Sequence, residues 1–166
     1  PNNTNLTNKG VGMNYGVELT MEKFFSKGYY LLTTTSIFQS RYKGSDNVWR
    51  NTAFNGLYVV NMLGGYEYKF GGRKNKTKRH SVAIDGKFTV AGGRFYTPID
   101  FEKSAQLQKE IRKDAEAFTS QYPVYYRLDL KFSYRLSTKK ITHEFSIDAQ
   151  NLTNHKNVFR LVYNVR

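Results

Sequence analysis

The chain has 166 residues, enough for one domain or a piece of a larger one, and at 39% apolar content no apolar run approaches the roughly 18 residues of a helical membrane span. A transmembrane β-barrel stays open, because its strands are apolar on only one residue in two. The absence of cysteine excludes disulfides, thiolate nucleophiles and Cys-ligated metals, while a net charge of +13 points to an anionic partner: nucleic acid, phospholipid headgroups, lipopolysaccharide or an anionic solute.

Pro1 to Gly10 reads as a polar loop, and the start at Pro1, without initiator Met or signal peptide, reads as a mature form or an internal fragment. Val11 to Phe25 opens as a strand, with Val11, Met13, Tyr15, Val17, Leu19 and Met21 on one face and Gly12, Asn14, Gly16, Glu18, Thr20 and Glu22 on the other. The alternation slips at Lys23-Phe24-Phe25, just before a tight turn at Ser26–Gly28. Tyr29 to Tyr42 alternates poorly, since Leu31 and Leu32, then Ile37 and Phe38, are adjacent; its Thr and aromatic content makes it a second strand.

Lys43 to Gly56 is a long loop that holds the single tryptophan, Trp49. Leu57 to Phe70 is the third predicted strand, with Tyr58, Val60, Met62, Tyr66, Tyr68 and Phe70 on one face. Gly71 to Arg79 is a basic turn, carrying Arg73, Lys74, Lys76, Lys78 and Arg79. His80 to Ala91 is the fourth strand, with Val82, Ile84, Phe88 and Val90 on one face. Gly92 to Pro123 is the longest connection, and the spacing of Leu107, Ile111 and Ala115 predicts a short helix inside it.

Val124 to Asn151 carries the clearest pattern. Tyr126, Leu128, Leu130, Phe132, Tyr134 and Leu136 alternate with Tyr125, Arg127, Asp129, Lys131, Ser133 and Arg135. After the link Ser137–Lys140, Ile141, His143, Phe145, Ile147 and Ala149 alternate with Thr142, Glu144, Ser146, Asp148 and Gln150. The two halves form an antiparallel hairpin of strands about twice the usual length of 5–6 residues, and match the roughly 9–11 residues of a tilted bilayer-crossing strand. Asn151 to Asn157 is a loop, and Val158 to Val165 is expected to begin another strand.

Short and long connections alternate along the chain. In an up-and-down meander this puts Ser26–Gly28, Gly71–Arg79 and Ser137–Lys140 at one end, and Lys43–Gly56 with Gly92–Pro123 at the other. Such an end-to-end asymmetry is the plan of outer-membrane barrels. The fold expected is all-β: an antiparallel up-and-down meander forming a partial transmembrane β-barrel, too few strands to close by itself. Leu128, Leu130, Phe132, Phe145, Ile147, Val82, Ile84 and Val60 are then expected to face lipid. Arg127, Asp129, Lys131, Arg135, Glu144 and Asp148 are expected to neutralise one another across the opposite face.

The same period fits a soluble β-barrel binding protein, or a small outer-membrane adhesin, with the faces exchanged in the soluble case. Long strands, aromatics gathered towards strand ends and asymmetric loops favour the membrane version. Nucleic acid is not expected as a partner, since no binding-fold signature accompanies the basic turn. His80, His143 and His155 have no metal-ligand spacing, and neither a GxSxG nor a Gly-rich phosphate loop occurs, so no enzyme activity, catalytic residue, metal or cofactor is expected.

Glu144 to Phe159, EFSIDAQNLTNHKNVF, resembles the stretch near the C-terminus of TonB-dependent outer-membrane receptors, in which a strand ending in D-x-x-N-L-T-N leads into the last extracellular loops. The matching residues are Asp148, Asn151, Leu152, Thr153 and Asn154. NYGVELTMEKFFSKGYYLLTTTSIFQSRYKG, NTAFNGLYVVNMLGGYEYKFGG and VAGGRFYTPID resemble successive upstream segments of such receptors. The resemblance implies a large barrel with a plug domain in its lumen. Such a receptor binds an extracellular small solute (siderophore, vitamin, glycan or peptide) and imports it by TonB-dependent active transport, set in outer-membrane lipid and lipopolysaccharide of a Gram-negative cell. The whole chain, residues 1–166, corresponds to the C-terminal part of that barrel, without plug, final strands or the N-terminal part that engages TonB. Within the two long loops, Trp49, Arg50, Arg94, Phe95 and Tyr96 are the candidate ligand contacts, since they offer stacking surfaces and cations.

Overall fold

A computed structural model describes residues 10–71 and 78–164. Six long strands form one antiparallel meander: β1 (Val11–Ser26), β2 (Tyr29–Lys43), β4 (Tyr58–Phe70), β5 (Arg79–Ala91), β8 (Tyr125–Ser137) and β9 (Thr142–Ala149), with the short β3 (Trp49–Asn51) added to the edge of β2. The order in the sheet is β1-β2-β4-β5-β8-β9, so every long strand pairs with its predecessor in the meander. A separate two-stranded ribbon, β6 (Phe95–Tyr96) with β7 (Ser120–Gln121), lies within the long connection between β5 and β8. The sheet is open, with β1 and β9 as its two edges.

The register explains why the alternation matters. Val17 pairs with Ile37, Ile37 with Tyr58, Val60 with Val90, Val90 with Tyr126, Ile84 with Phe132, and Phe132 with Ile147. Directly paired residues share a face, so the apolar sets of all six strands merge into one continuous surface. The irregular β2 obeys the same rule: Leu31, Thr33, Thr35 and Ile37 join the apolar face, while Leu32, paired with Leu63, and Phe38 fall on the polar one.

Turn chemistry sets the ends. Lys27 (φ 53) and Gly28 (φ 86) both adopt the left-handed region, the backbone of a two-residue hairpin turn. The register slips by one residue between Lys23 and Ser26, a β-bulge at the place where the sequence loses its alternation. Lys23 Nζ caps this bulge, donating to the carbonyls of Ser26 and Tyr29, each at 3.1 Å. Six residues of the basic turn, 72–77, lie outside those described, and with them Arg73, Lys74 and Lys76.

Three expectations need correction. The helix is α1 (Phe101–Leu107), one stretch earlier than the Leu107, Ile111, Ala115 stripe. Asp100 starts it by accepting from Lys103 N at 3.1 Å, and Gln108, at φ 50, ends it. Ile111 is instead drawn back to the helix, its N–H donating to the Ser104 hydroxyl at 2.9 Å, and Ala115 sits in a single 3-10 turn, Asp114–Glu116. Second, residues 158–164 form no strand; backbone and side-chain bonds hold them across the loop cluster. Third, β4 begins at Tyr58 because Leu57 has φ 71, a conformation that cannot continue a ladder.

Candidate functional site

The apolar face of the sheet carries its large side chains in the open. Among the described residues the one buried hydrophobic side chain is Ile99, in the loop cluster, so the sheet encloses no apolar core. On the apolar face Val17 is 76% exposed, Ile147 73% and Phe145 66%. On the polar face Ser81 and Ser133 are buried, and Asp85, Asp129 and Lys131 are half-buried. That face holds a hollow of about 210 Å³ between β4, β5 and β8. Gly65 makes room in it for the Tyr30 ring, whose hydroxyl donates to Asp85 Oδ1 at 2.7 Å. Charges neutralise each other as the sequence suggests, within and across strands: Arg135 reaches Glu144 at 2.9 Å and Glu67 at 3.9 Å, and Arg127 reaches Asp129 at 2.7 Å.

The long connections meet at one end of the sheet. Gly92 follows β5 so closely against Gly56 that a Cβ on Gly92 would collide with the Gly56 carbonyl, and Gly92 N donates to Tyr58 O at 3.0 Å. Asn55, wholly buried, pins the first loop by accepting from Ser40 N at 2.8 Å and donating to Asn51 Oδ1 at 2.9 Å. Asn51 in turn donates to the Phe118 carbonyl at 3.3 Å, and the Phe118 ring meets Tyr42 edge-on at 6.2 Å, which ties the first loop to the second.

Within this cluster, Arg94, Phe95 and Tyr96 line a single recess of about 390 Å³ together with Ala53, Arg112, Phe118, Tyr122, Phe159 and Arg160. Tyr96 stacks on Tyr122 with centroids 4.3 Å apart. Arg94 lies over the Phe159 ring at 5.2 Å and donates to the Phe159 carbonyl at 2.9 Å. Trp49 and Arg50 do not line the recess. Arg50 is held by Asp46 at 2.6 Å, and Trp49, 44% exposed, stands under Lys43 Nζ at 5.7 Å. The Arg50 guanidinium, helped by the Val48 N–H, keeps the Asp46 carboxyl below the usual carboxylate range.

Sequence reasoning passed over Arg112, Phe118, Tyr122, Phe159 and Arg160. Tyr122 and Phe118 precede Pro123 inside the long loop, so aromatic residues there were a usable signal. Arg112, Phe159 and Arg160 join only through the path of residues 157–163. Asn157 clamps both Tyr126 N at 3.1 Å and Tyr126 O at 2.9 Å, Leu161 N donates to the Tyr122 hydroxyl at 3.2 Å, and Tyr163 N donates to Glu110 Oε2 at 3.2 Å. Glu110 also takes Arg112 at 2.6 Å and Arg160 at 3.3 Å. The Arg112 guanidinium, then the Tyr163 N–H, hold its carboxyl below the ordinary range.

Two of the three histidines have structural partners: His80 Nδ1 is 2.8 Å from the Tyr134 hydroxyl, and the His155 ring stacks on Tyr126 at 3.8 Å, while His143 is exposed. Among the described residues no group of three or more His, Cys, Asp or Glu side chains is placed to hold a metal ion.

The fold and the loop cluster define a class, an open antiparallel up-and-down β-sheet with one apolar and one polar face and a recessed loop platform at one end. No family model, no curated protein and no solved structure matches the chain.

Proposed function

We propose that the chain is a stretch of the wall of a TonB-dependent outer-membrane receptor, from the C-terminal part of its β-barrel. In this reading the continuous apolar face meets lipid, the polar face meets the lumen and its filling domain, and the loop cluster faces the outside, where Arg94, Phe95 and Tyr96 contact an incoming solute.

The observation that carries the reading is the uncovered apolar face. A soluble β-barrel or sandwich buries its apolar face, yet here Val17, Phe145 and Ile147 on that face are exposed, while Ser81 and Ser133 on the polar face are buried. Strand length supports it: β1, β2, β4, β5 and β8 have 16, 15, 13, 13 and 13 residues, each beyond the roughly 9–11 needed to cross a bilayer. Banding supports it too. Tyr68, Phe70 and Tyr134 sit towards the short-turn end of the apolar face, Tyr15 and Tyr58 towards the loop end, and Met62, Leu128 and Leu130 between. The resemblance of the D-x-x-N-L-T-N residues and the upstream segments to such receptors supports the choice of family.

Single cysteines in the full-length receptor test the topology. Those replacing Asp46 and Lys113, in the loop cluster, should react with a membrane-impermeant thiol reagent on intact cells. One replacing Lys139, in the β8–β9 turn, should react only after the outer membrane is opened. Labelling of the Lys139 position on intact cells, with the Asp46 position protected, would overturn the orientation and the solute site with it.

A further inference from the structure

We infer that the short-turn end of the sheet is a docking surface for anionic phospholipid headgroups, an inference that rests on the membrane reading above. Lys27 in the β1–β2 turn, Lys78 just before β5, and Lys139 and Lys140 in the β8–β9 turn are all exposed, and the register gathers them at one end: Ser26 pairs with Tyr29, Phe70 with His80, and Arg79 with Ser137.

Among the described residues Lys27, Lys78, Lys139 and Lys140 make no ion pair, whereas Lys69 and Arg79 lie on the polar face beside Ser81 and Arg135. At the opposite end most cations are paired internally: Arg50 by Asp46 at 2.6 Å, Arg112 and Arg160 by Glu110 at 2.6 and 3.3 Å, Lys103 by Asp100 at 3.5 Å and Lys113 by Glu116 at 3.4 Å, while Lys43, Lys109 and Lys156 have no ion pair among the described residues. The carboxylates nearest the short turns do not restore the balance, because Glu67 and Glu144 are engaged by Arg135 on the polar face.

Large exposed rings flank the unpaired cations. Phe24 is 76% exposed, Phe145 66% and Tyr68 57%. Rings at the edge of an apolar surface with ammonium groups beyond them match the layering of a bilayer boundary, apolar bodies at headgroup depth and cations in the phosphate layer. A soluble polyanion would answer the cations but leave the rings in water. The attraction is electrostatic and close-range, so it should weaken with salt.

The test uses the full-length protein that contains this chain, reconstituted into vesicles of phosphatidylcholine with and without phosphatidylglycerol. Protease protection of the strands reads insertion, and the ratio of the two lipids retained on extraction reads the preference. The native protein should insert in both and retain phosphatidylglycerol in excess of its share, less so at high salt. The variant K27Q/K78Q/K139Q/K140Q should insert equally and lose the excess, by roughly fivefold for each cation that reaches a headgroup. The control K103Q/K109Q/K113Q, at the loop end, should keep it. Insertion of the native chain with no preference would overturn the inference and leave the membrane reading standing. Failure to insert in either vesicle would overturn both. Equal loss in the control would reduce the effect to net charge and overturn the inference, as would retention of a single-stranded oligonucleotide by the native chain in neutral vesicles that the first variant abolishes.

Discussion

Asn151 and Asn154 show how a motif letter follows from backbone geometry. Both lie in the left-handed region, at φ 50 and φ 51, where a short amide side chain is tolerated far better than a Cβ-bearing apolar one. Asn151 also terminates β9: its N–H donates to Asp129 Oδ1 at 2.8 Å, its side chain donates to the His155 carbonyl at 3.1 Å, and its carbonyl accepts from Asn154 N at 2.7 Å. The motif that suggested a family is thus a strand terminator with its own physical logic. N154A should cost about 1 kcal/mol through the left-handed backbone, and N154G close to nothing. N151A should cost more, since it also removes the bond to His155. Chemical denaturation in detergent checks the order, and equal losses for N154A and N154G would refute the backbone argument. Glu110 gives a pH dependence of known sign. Its folded pKa is lowered, so the stability it lends the docked 160–163 segment is complete above the ordinary carboxylate range and lost as pH falls through the lowered value. A spin label at Val162 should be immobile at neutral pH and become mobile as pH drops below about 4. In E110Q it should be mobile throughout; immobility of the label at every pH in both proteins would deny Glu110 this role.

At the scale of the element, β8 states the two-faced design most directly. Leu130 sits opposite Gly86 and Ala149, in the middle of the apolar face, while the next residue, Lys131, sits opposite Asp85 and Asp148 on the polar one. In the proposed barrel wall, L130R should destabilise the full-length protein by roughly 2–4 kcal/mol, the cost of a cation near the bilayer midplane. K131L, at the next residue but on the opposite face, should cost much less, about 1 kcal/mol or below. Unfolding in lipid vesicles measures both, and the reverse order would assign the faces the other way round. Elements were legible wherever one periodicity ran unbroken, as in β5 and β8. They were misread where side chains overrode it, as with the Ser104 hydroxyl that recruits Ile111 to a loop.

At the scale of the whole molecule, the open edges matter most. β1 presents 16 residues of unpaired backbone along its outer side, and β9 presents 8. Hydrocarbon leaves such groups unsatisfied, so a closed barrel requires further strands on both sides. Expressed by itself, the chain should aggregate or stay dispersed only in detergent. Analytical ultracentrifugation in plain buffer provides the measurement; a monodisperse monomer that melts cooperatively would overturn the membrane reading altogether.

The sequence by itself determined the strands, their order along the meander and which side of each is apolar, because side-chain direction in a strand alternates with a period of two and needs no knowledge of neighbours. It also separated short turns from long loops, and so foretold that Asp46 and Lys113 lie at one end and Lys139 at the other. The tertiary structure alone decided that the apolar sides of all six strands merge into one continuous face, since period two fixes a side within a strand but not its register with the next. It alone decided the site's membership as well. Arg94, Phe95 and Tyr96 are joined by Arg112 and Phe159, distant in sequence, because hydrogen bonds from Arg94 and to Tyr122 and Glu110 draw residues 159–163 across the loops in place of a strand, a long-range pairing that no local pattern encodes.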